Sequence, residues 1–197
     1  MGKNKTIFLD RDGTLIKLVY DEKTGHIDSV SSKEEVEITY DFPDVLKKLK
    51  QAGYLLIIVS NQPRIGLKKE TKENFDAIHE EMVRRLEEEG VKLDKTYYCF
   101  HHPFAEMEEY RVNCECRKPE TKFFKEAQKE FDIDLTKSYM IGDRVNDVKA
   151  GSAAGVKTIL LANLEEAAYL EILEKQLKGV KPDYLIKKPK EILEIVR

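Results

Sequence analysis

The sequence predicts a doubly wound α/β domain built on a mostly parallel, Rossmann-like sheet. Three observations predict it. Short apolar runs alternate with amphipathic segments along most of the chain, the pattern of strand–helix–strand units. The run "LLIIVS" (55–60) is continuously apolar and rich in β-branched residues, so as a strand it must be covered on both faces. Several such runs end in Asp or Ser, and open α/β sheets bind ligands beyond the carboxyl ends of their strands.

The elements follow in order. "TIFLD" (6–10) reads as the first strand, and "FPDVLKKLKQAG" (42–53) as a helix whose Val45, Leu46 and Leu49 share a face, with Gly53 as its stop. After the strand 55–60, "KETKENFDAIHEEMVRRLEEEG" (69–90) spaces Phe75, Ile78, Met82 and Leu86 along one side of a helix, leaving His79 on the polar side as solvated surface. "TYYCF" (96–100) is a weaker strand, its tyrosines Tyr97 and Tyr98 read as packing residues. The helix 121–131, the strand "SYMIGD" (138–143), the helix 145–155, the strand "KTILLA" (157–162), a helix over 164–177 and an edge strand "DYLIKK" (183–188) complete the alternation. The segment 18–40 is polar with scattered apolar residues. It is read as a hairpin flap or long loop, with His26 on it. No repeat, linker or second globular unit is visible, so residues 1–197 read as one domain.

Composition limits the function classes. Basic residues number 34 against 37 acidic, a net charge of -3, which argues against a general nucleic-acid binder. The longest apolar stretch, "LLIIV", is far short of the ~20 residues that span a bilayer. The N-terminus has no apolar signal-peptide core. "MGKNKT" matches a myristoylation pattern, but a strand beginning at Thr6 leaves no free arm for it. The expectation is a cytoplasmic, soluble monomer acting on a small molecule.

The chemistry starts at "FLDRDGTLI", where Asp10 and Asp12 crowd together at a strand end. A helix-loop-helix calcium site would need Gly at its sixth position, whereas Gly13 falls at the fourth, so that reading fails. A plain polar turn explains the motif alone. It does not explain three further strand or loop ends: Ser60 with Asn61 and Gln62, Lys118 in "CRKP", and Asp143 with Asp147 in "IGDRVND". Acid, hydroxyl, lysine and acid together suit a phosphate held with Mg²⁺, which takes carboxylate and phosphate oxygens.

All three cysteines lie in "CFHHPFAEMEEYRVNCEC". With His101 they form a C-x-H-x12-C-x-C set, Cys99, His101, Cys114 and Cys116. Three thiolates and an imidazole close a tetrahedral zinc site with no open position, so the zinc is read as structural. His102 is the weaker alternative ligand. The competing reading is three buried thiols or a Cys114–Cys116 redox pair. The zinc loop 99–116 runs directly into Arg117 and Lys118, and its metal would fix both cations in place.

Taken together, "DRDGT", "SNQ", "CRKP" and "IGDRVND" resemble the haloacid-dehalogenase-like (HAD) phosphohydrolases over nearly the whole chain. The cysteine cluster narrows the resemblance to their histidinol-phosphate and heptose-bisphosphate branch, which lacks a large cap domain. The resemblance implies Asp10 as nucleophile, Asp12 as general acid and base, and Ser60 and Lys118 as holders of the transferring phosphoryl group. It implies Mg²⁺ bound by Asp10, Asp143 and the backbone carbonyl of Asp12, with Asp147 in support. Substrate contacts would come from Ser60, Asn61, Gln62, Arg117, Lys118 and Arg144, the two arginines suiting a second phosphate. The implied substrate is a heptose 1,7-bisphosphate, with histidinol phosphate as the alternative. From another class, a catalytically silent zinc-stabilised binding module is opposed by the intact Asp10, Asp12, Lys118 and Asp143 set. After "NQ" the branch usually continues with a small residue and glycine. Here Pro63-Arg64-Ile65-Gly66 follows, which leaves the substrate open at this loop.

Overall fold

A computed structural model describes residues 3–21, 26–162 and 177–196. Six parallel strands form one sheet: β1 (Lys5–Leu9), β4 (Tyr54–Asn61), β5 (Lys95–Cys99), β6 (Tyr139–Gly142), β7 (Lys157–Leu161) and β8 (Tyr184–Ile186), in the spatial order β5-β4-β1-β6-β7-β8. The chain builds outward from β1 to β4 and β5, then crosses back to β6 on the other side of β1. The strand order therefore reverses at β1, and the crevice between β4, β1 and β6 is where such a sheet takes a ligand.

Alternation along the strands explains the two-sided core. Ile7, Leu9, Leu56, Ile58 and Ile141 face one way, against Val45, Leu46 and Leu49 of α1 (Phe42–Gln51) and Ile78, Met82 and Leu86 of α2 (Lys72–Glu88). Phe8, Ile57, Val59 and Met140 face the other way, against Phe124 and Ala127 of α3 (Lys122–Phe131) and Ala150 of α4 (Val145–Ala154). The helices start where the sequence supplies caps. Thr71 accepts a hydrogen bond from the Asn74 amide at 3.1 Å, and Asp147 reaches back to the Arg144 amide at 2.9 Å. They stop at Gly53 and Gly155, both at positive φ.

The strand and helix expectations agree with these elements to within a few residues. The helix expected over 164–177 falls almost wholly outside the described residues. Segment 18–40 contains the antiparallel hairpin β2 (Val19–Asp21) and β3 (His26–Asp28) in its first half. Its second half is different: Val30 and Val36 are buried in the main core, so that part is anchored chain. The expectation of a solvated His79 is corrected. Its ring is half-buried, shares a 2.9 Å hydrogen bond with the Tyr98 hydroxyl and lies parallel to Phe75. The flank of α2 that carries it packs against edge strand β5, which a polar neighbourhood in sequence does not reveal.

Candidate active site

Asp10 follows β1, Ser60 lies near the end of β4 and Asp143 follows β6. Three adjacent parallel strands thus deliver an acid, a hydroxyl and an acid to one crevice. Asp10 is fixed by its own backbone, its amide donating to the Ile141 carbonyl at 2.9 Å. Lys118 comes from the loop between β5 and α3 and is placed by Asn61. The Asn61 side chain receives a hydrogen bond from the Lys118 amide at 2.9 Å and donates to the Lys118 carbonyl at 3.0 Å. Asn61, expected at the substrate, thus spends its amide on aiming the lysine.

The Lys118 ammonium is buried between two carboxylates, 3.0 Å from Asp10 and 2.5 Å from Asp147. Burial works against its charge, but the two acids outweigh burial and hold its pKa above that of an ordinary lysine. Asp143 has a weaker partner, Arg144 Nε at 3.7 Å. Burial, then the nearby charges of Asp10 and Asp147, push it up to about 8. Burial likewise raises Asp147 to about 6, against the pull of Lys118.

Carboxyl oxygens of Asp10, Asp143 and Asp147 lie within 4.8 Å of one another, and Asp143 Oδ1 is buried without a hydrogen-bond partner. Lys118 and Arg144, the latter 3.7 Å from Asp143, do not neutralise three acids. The cluster is short of positive charge, and a hard divalent cation with oxygen preference fits that deficit. Gly13 clears the space for the Asp143 carboxylate: a Cβ there would sit 2.3 Å from Asp143 Oδ2, and its φ of +75° favours glycine.

Asp12 has a separate environment. Arg11 grips it through Nε and Nη2 at 3.0 and 3.1 Å, and Gln62 donates to its Oδ2 at 2.7 Å. Burial opposes ionisation of Asp12, yet these partners prevail and hold its pKa below the usual carboxylate range. Gln62 also bonds Ser60 Oγ at 3.0 Å and accepts from Arg11 at 2.8 Å, so Arg11, Asp12, Gln62 and Ser60 form one buried network. Arg11 is the residue that sequence reasoning missed. It is fully buried under the rings of Phe75 and Tyr98, at 5.1 and 5.9 Å. An arginine between two acids gives no sequence signal of burial, because its partners come from α2, β4 and β5.

A cleft of about 140 Å³ opens over this floor. It is lined by Asp10, Asp12, Ser60, Asn61, Gln62, Arg117, Lys118, Arg144 and Asp147, together with Asp28, Ser29, Pro63, Arg64 and Asn146. Every acid, hydroxyl, amide and cation singled out from the sequence lines it except Asp143, which belongs to the acid cluster beside it. Arg117 is tied to the cysteine segment by a hydrogen bond to the His101 carbonyl at 3.2 Å.

The cysteine segment forms a second cluster. Cys116 Sγ lies 3.2 Å from Cys99 Sγ, 3.1 Å from Cys114 Sγ and 3.3 Å from His101 Nδ1, and the four ligand atoms all fall within 4.8 Å. A tetrahedron with zinc–sulfur bonds of ~2.3 Å has edges of roughly 3.8 Å, so the grouping is metal-sized. His102 stands outside it, its Nδ1 accepting from the Phe104 amide at 3.1 Å. The cysteines are free thiols rather than a disulfide.

Comparison with known proteins places this arrangement. A HAD-hydrolase-like family model (Hydrolase_like) matches residues 115–189. The chain is 38% identical over 172 residues to D-glycero-beta-D-manno-heptose-1,7-bisphosphate 7-phosphatase of Haemophilus ducreyi, spanning 87% of this chain and 89% of that protein. It is 40% identical over 158 residues to the enzyme of the same name from Haemophilus influenzae, spanning 80% and 81%. The crystal structure of D,D-heptose 1,7-bisphosphate phosphatase from B. bronchiseptica, complexed with magnesium and phosphate, shares the fold, with a TM-score of 0.74 at 23% identity over 97% of this chain and 99% of that one. The chain is a phosphatase of the HAD superfamily and belongs to the D-glycero-β-D-manno-heptose-1,7-bisphosphate 7-phosphatase family.

Proposed function

We propose that this protein hydrolyses the 7-phosphate of D-glycero-D-manno-heptose 1,7-bisphosphate by way of an aspartyl phosphate on Asp10. The observation that carries the reading is the convergence of Asp10 after β1, Asp143 after β6, Asp147 in the first turn of α4 and Lys118 from the loop before α3. The sequence relatives name the substrate, and the solved neighbour was crystallised with magnesium and phosphate.

Phosphate monoesters are among the slowest uncatalysed substrates, needing up to ~10²¹-fold acceleration. A carboxylate nucleophile divides the task into two displacements. Asp10 attacks phosphorus as the bond to the sugar oxygen breaks; Asp12 is ionised in the free protein, so to give that oxygen a proton it must first take one up when the anionic phosphate binds beside it. Asp12 then takes a proton from the water that attacks the phospho-aspartate. The network of Arg11 and Gln62 holds the Asp12 carboxyl at one orientation for both tasks. Lys118 and the Ser60 hydroxyl bind the phosphoryl oxygens, and the ammonium offsets the meeting of two anions.

Asp10, Asp143 and the Asp12 carbonyl would hold Mg²⁺, with Asp147 steadying Lys118 beside them. Bound there, the ion supplies the positive charge that the acids lack and that a phosphoryl group requires. Cys99, His101, Cys114 and Cys116 would hold Zn²⁺, whose role is to fix the segment that ends in Arg117 and Lys118. Arg117 and Arg144 would meet the phosphate that is not cleaved.

Orthophosphate release from the heptose bisphosphate, measured with Mg²⁺ beside histidinol phosphate and 4-nitrophenyl phosphate, tests the reading. The expected result is Mg²⁺-dependent release with the highest kcat/KM on the bisphosphate. Higher kcat/KM on histidinol phosphate would reassign the substrate, and no release from any ester would favour a binding module.

A further inference from the structure

We propose that Arg64 is a specificity-determining residue: its guanidinium, poised over the cleft by Asp28, binds the phosphate of a sugar bisphosphate that is not hydrolysed. This inference rests on the substrate class proposed above and adds a residue to it at the position where the sequence departs from its branch.

The loop that carries Arg64 leaves the end of β4 directly after Gln62, so it starts from the floor of the site. It is a fixed loop. The Leu67 amide donates to the Pro63 carbonyl at 3.0 Å and the Lys69 amide to the Arg64 carbonyl at 2.8 Å. Ile65 is buried. Gly66 is clasped by the cysteine segment, its carbonyl accepting from the Glu106 and Met107 amides at 2.8 and 3.0 Å. A Cβ on Gly66 would lie 2.8 Å from the Tyr110 side chain. The chain on either side of Arg64 is thus anchored to the segment that also positions Arg117.

The side chain has donor capacity to spare. A guanidinium offers five N–H donors. Arg64 makes one side-chain hydrogen bond among the described residues, from Nη1 to Asp28 Oδ2 at 2.9 Å, and its Nε is buried with no partner. Leaving a buried donor unmet is costly. An oxyanion in the cleft offers acceptors to Nε and Nη2 and resolves that cost in the bidentate geometry arginine prefers.

Asp28 explains why the arginine waits there. It sits at the end of β3 on the flap, with its side chain 55% exposed against 18% for Arg64. A lone carboxylate at the mouth of a phosphate cleft would repel the substrate. Paired with Arg64 it instead holds the guanidinium at the cleft, which both residues line. An uncharged sugar terminus gains nothing from this arrangement, whereas an anionic one does. Arg64 therefore favours substrates with phosphates at both ends.

The test compares kcat/KM for heptose 1,7-bisphosphate with that for heptose 7-phosphate, in the wild-type protein, Arg64→Gln and Arg64→Lys. Taking the ratio cancels any general loss, and thermal melts of each variant check folding. The expected result is a wild-type preference for the bisphosphate that falls about tenfold or more in Arg64→Gln, mainly through KM, with partial recovery in Arg64→Lys. A preference that survives intact in Arg64→Gln overturns the role of Arg64 alone. A wild-type protein with no preference for the bisphosphate overturns the substrate class and this inference with it.

Discussion

Asp12 shows how much of the site is decided by one neighbouring side chain. Its carboxyl is buried, which disfavours charge, yet two guanidinium nitrogens and an amide hold it ionised. Removing one partner of a buried pair strands the other, at a cost of about 3–5 kcal/mol. Arg11→Met is therefore expected to lower unfolding stability by about that amount, measured by denaturant titration. A loss below ~1 kcal/mol would show that Arg11 and Asp12 are not a buried pair. The acids of this site could be read from the sequence because "DRDGT" and "IGDRVND" are compact local signals. Arg11 could not be, since Gln62, Phe75 and Tyr98 are brought to it only by the fold. For the same reason the substrate contact that the resemblance implies for Asn61 and Gln62 carries no sign of their other partners: the fold engages their amides with Lys118, Asp12 and Ser60.

Among the elements, the cysteine segment has the most to explain. It holds little regular structure, yet it ends in the two cations of the cleft and clasps the loop of Arg64. With a metal bound, its four ligand atoms would stand in for the hydrophobic core that such a segment lacks. Cys116→Ser is expected to release the bound metal, seen by elemental analysis, and to lower kcat/KM by ~10–100-fold, the range seen when the support of a site is lost. Full activity in a metal-free variant would separate the segment from catalysis. The ligand spacing made this segment legible in sequence. The central strands β1, β4, β6 and β7 were legible too, because each is an apolar run buried on both faces, whereas the edge strand β5 is only half-buried and gave a weaker signal. The flap was only half legible: Val30 and Val36 belong to the core but stand alone among polar residues, so no periodicity marks them.

At the scale of the whole molecule, the acid cluster is expected to couple stability to pH and to Mg²⁺. Asp143 is raised from 3.8 to about 8 and Asp147 from 3.8 to about 6, burial being the main cause for both. A carboxyl with a raised pKa in the folded state binds its proton more tightly folded than unfolded. Its stabilising effect is complete below the unfolded pKa and is lost as pH rises through the folded one. Without Mg²⁺, the contribution of these two groups to stability declines between about pH 4 and 8. Mg²⁺ needs the ionised forms, so its binding releases protons. Thermal melts with and without Mg²⁺ are expected to show a Tm gain that grows from pH 6 to pH 8. A gain that is constant or shrinks over that range would contradict the assignment of these acids to the cation.

The central claim is that Asp10 carries the phosphoryl group. Acid-quenched single turnovers of heptose 1,7-bisphosphate, followed by mass spectrometry of the peptides, test it most directly. The expected result is a phosphorylated peptide containing Asp10 that disappears in Asp10→Asn, together with a loss of kcat on the order of 10⁵-fold or more. A phosphoryl group trapped on another residue, or full turnover by Asp10→Asn, would contradict it.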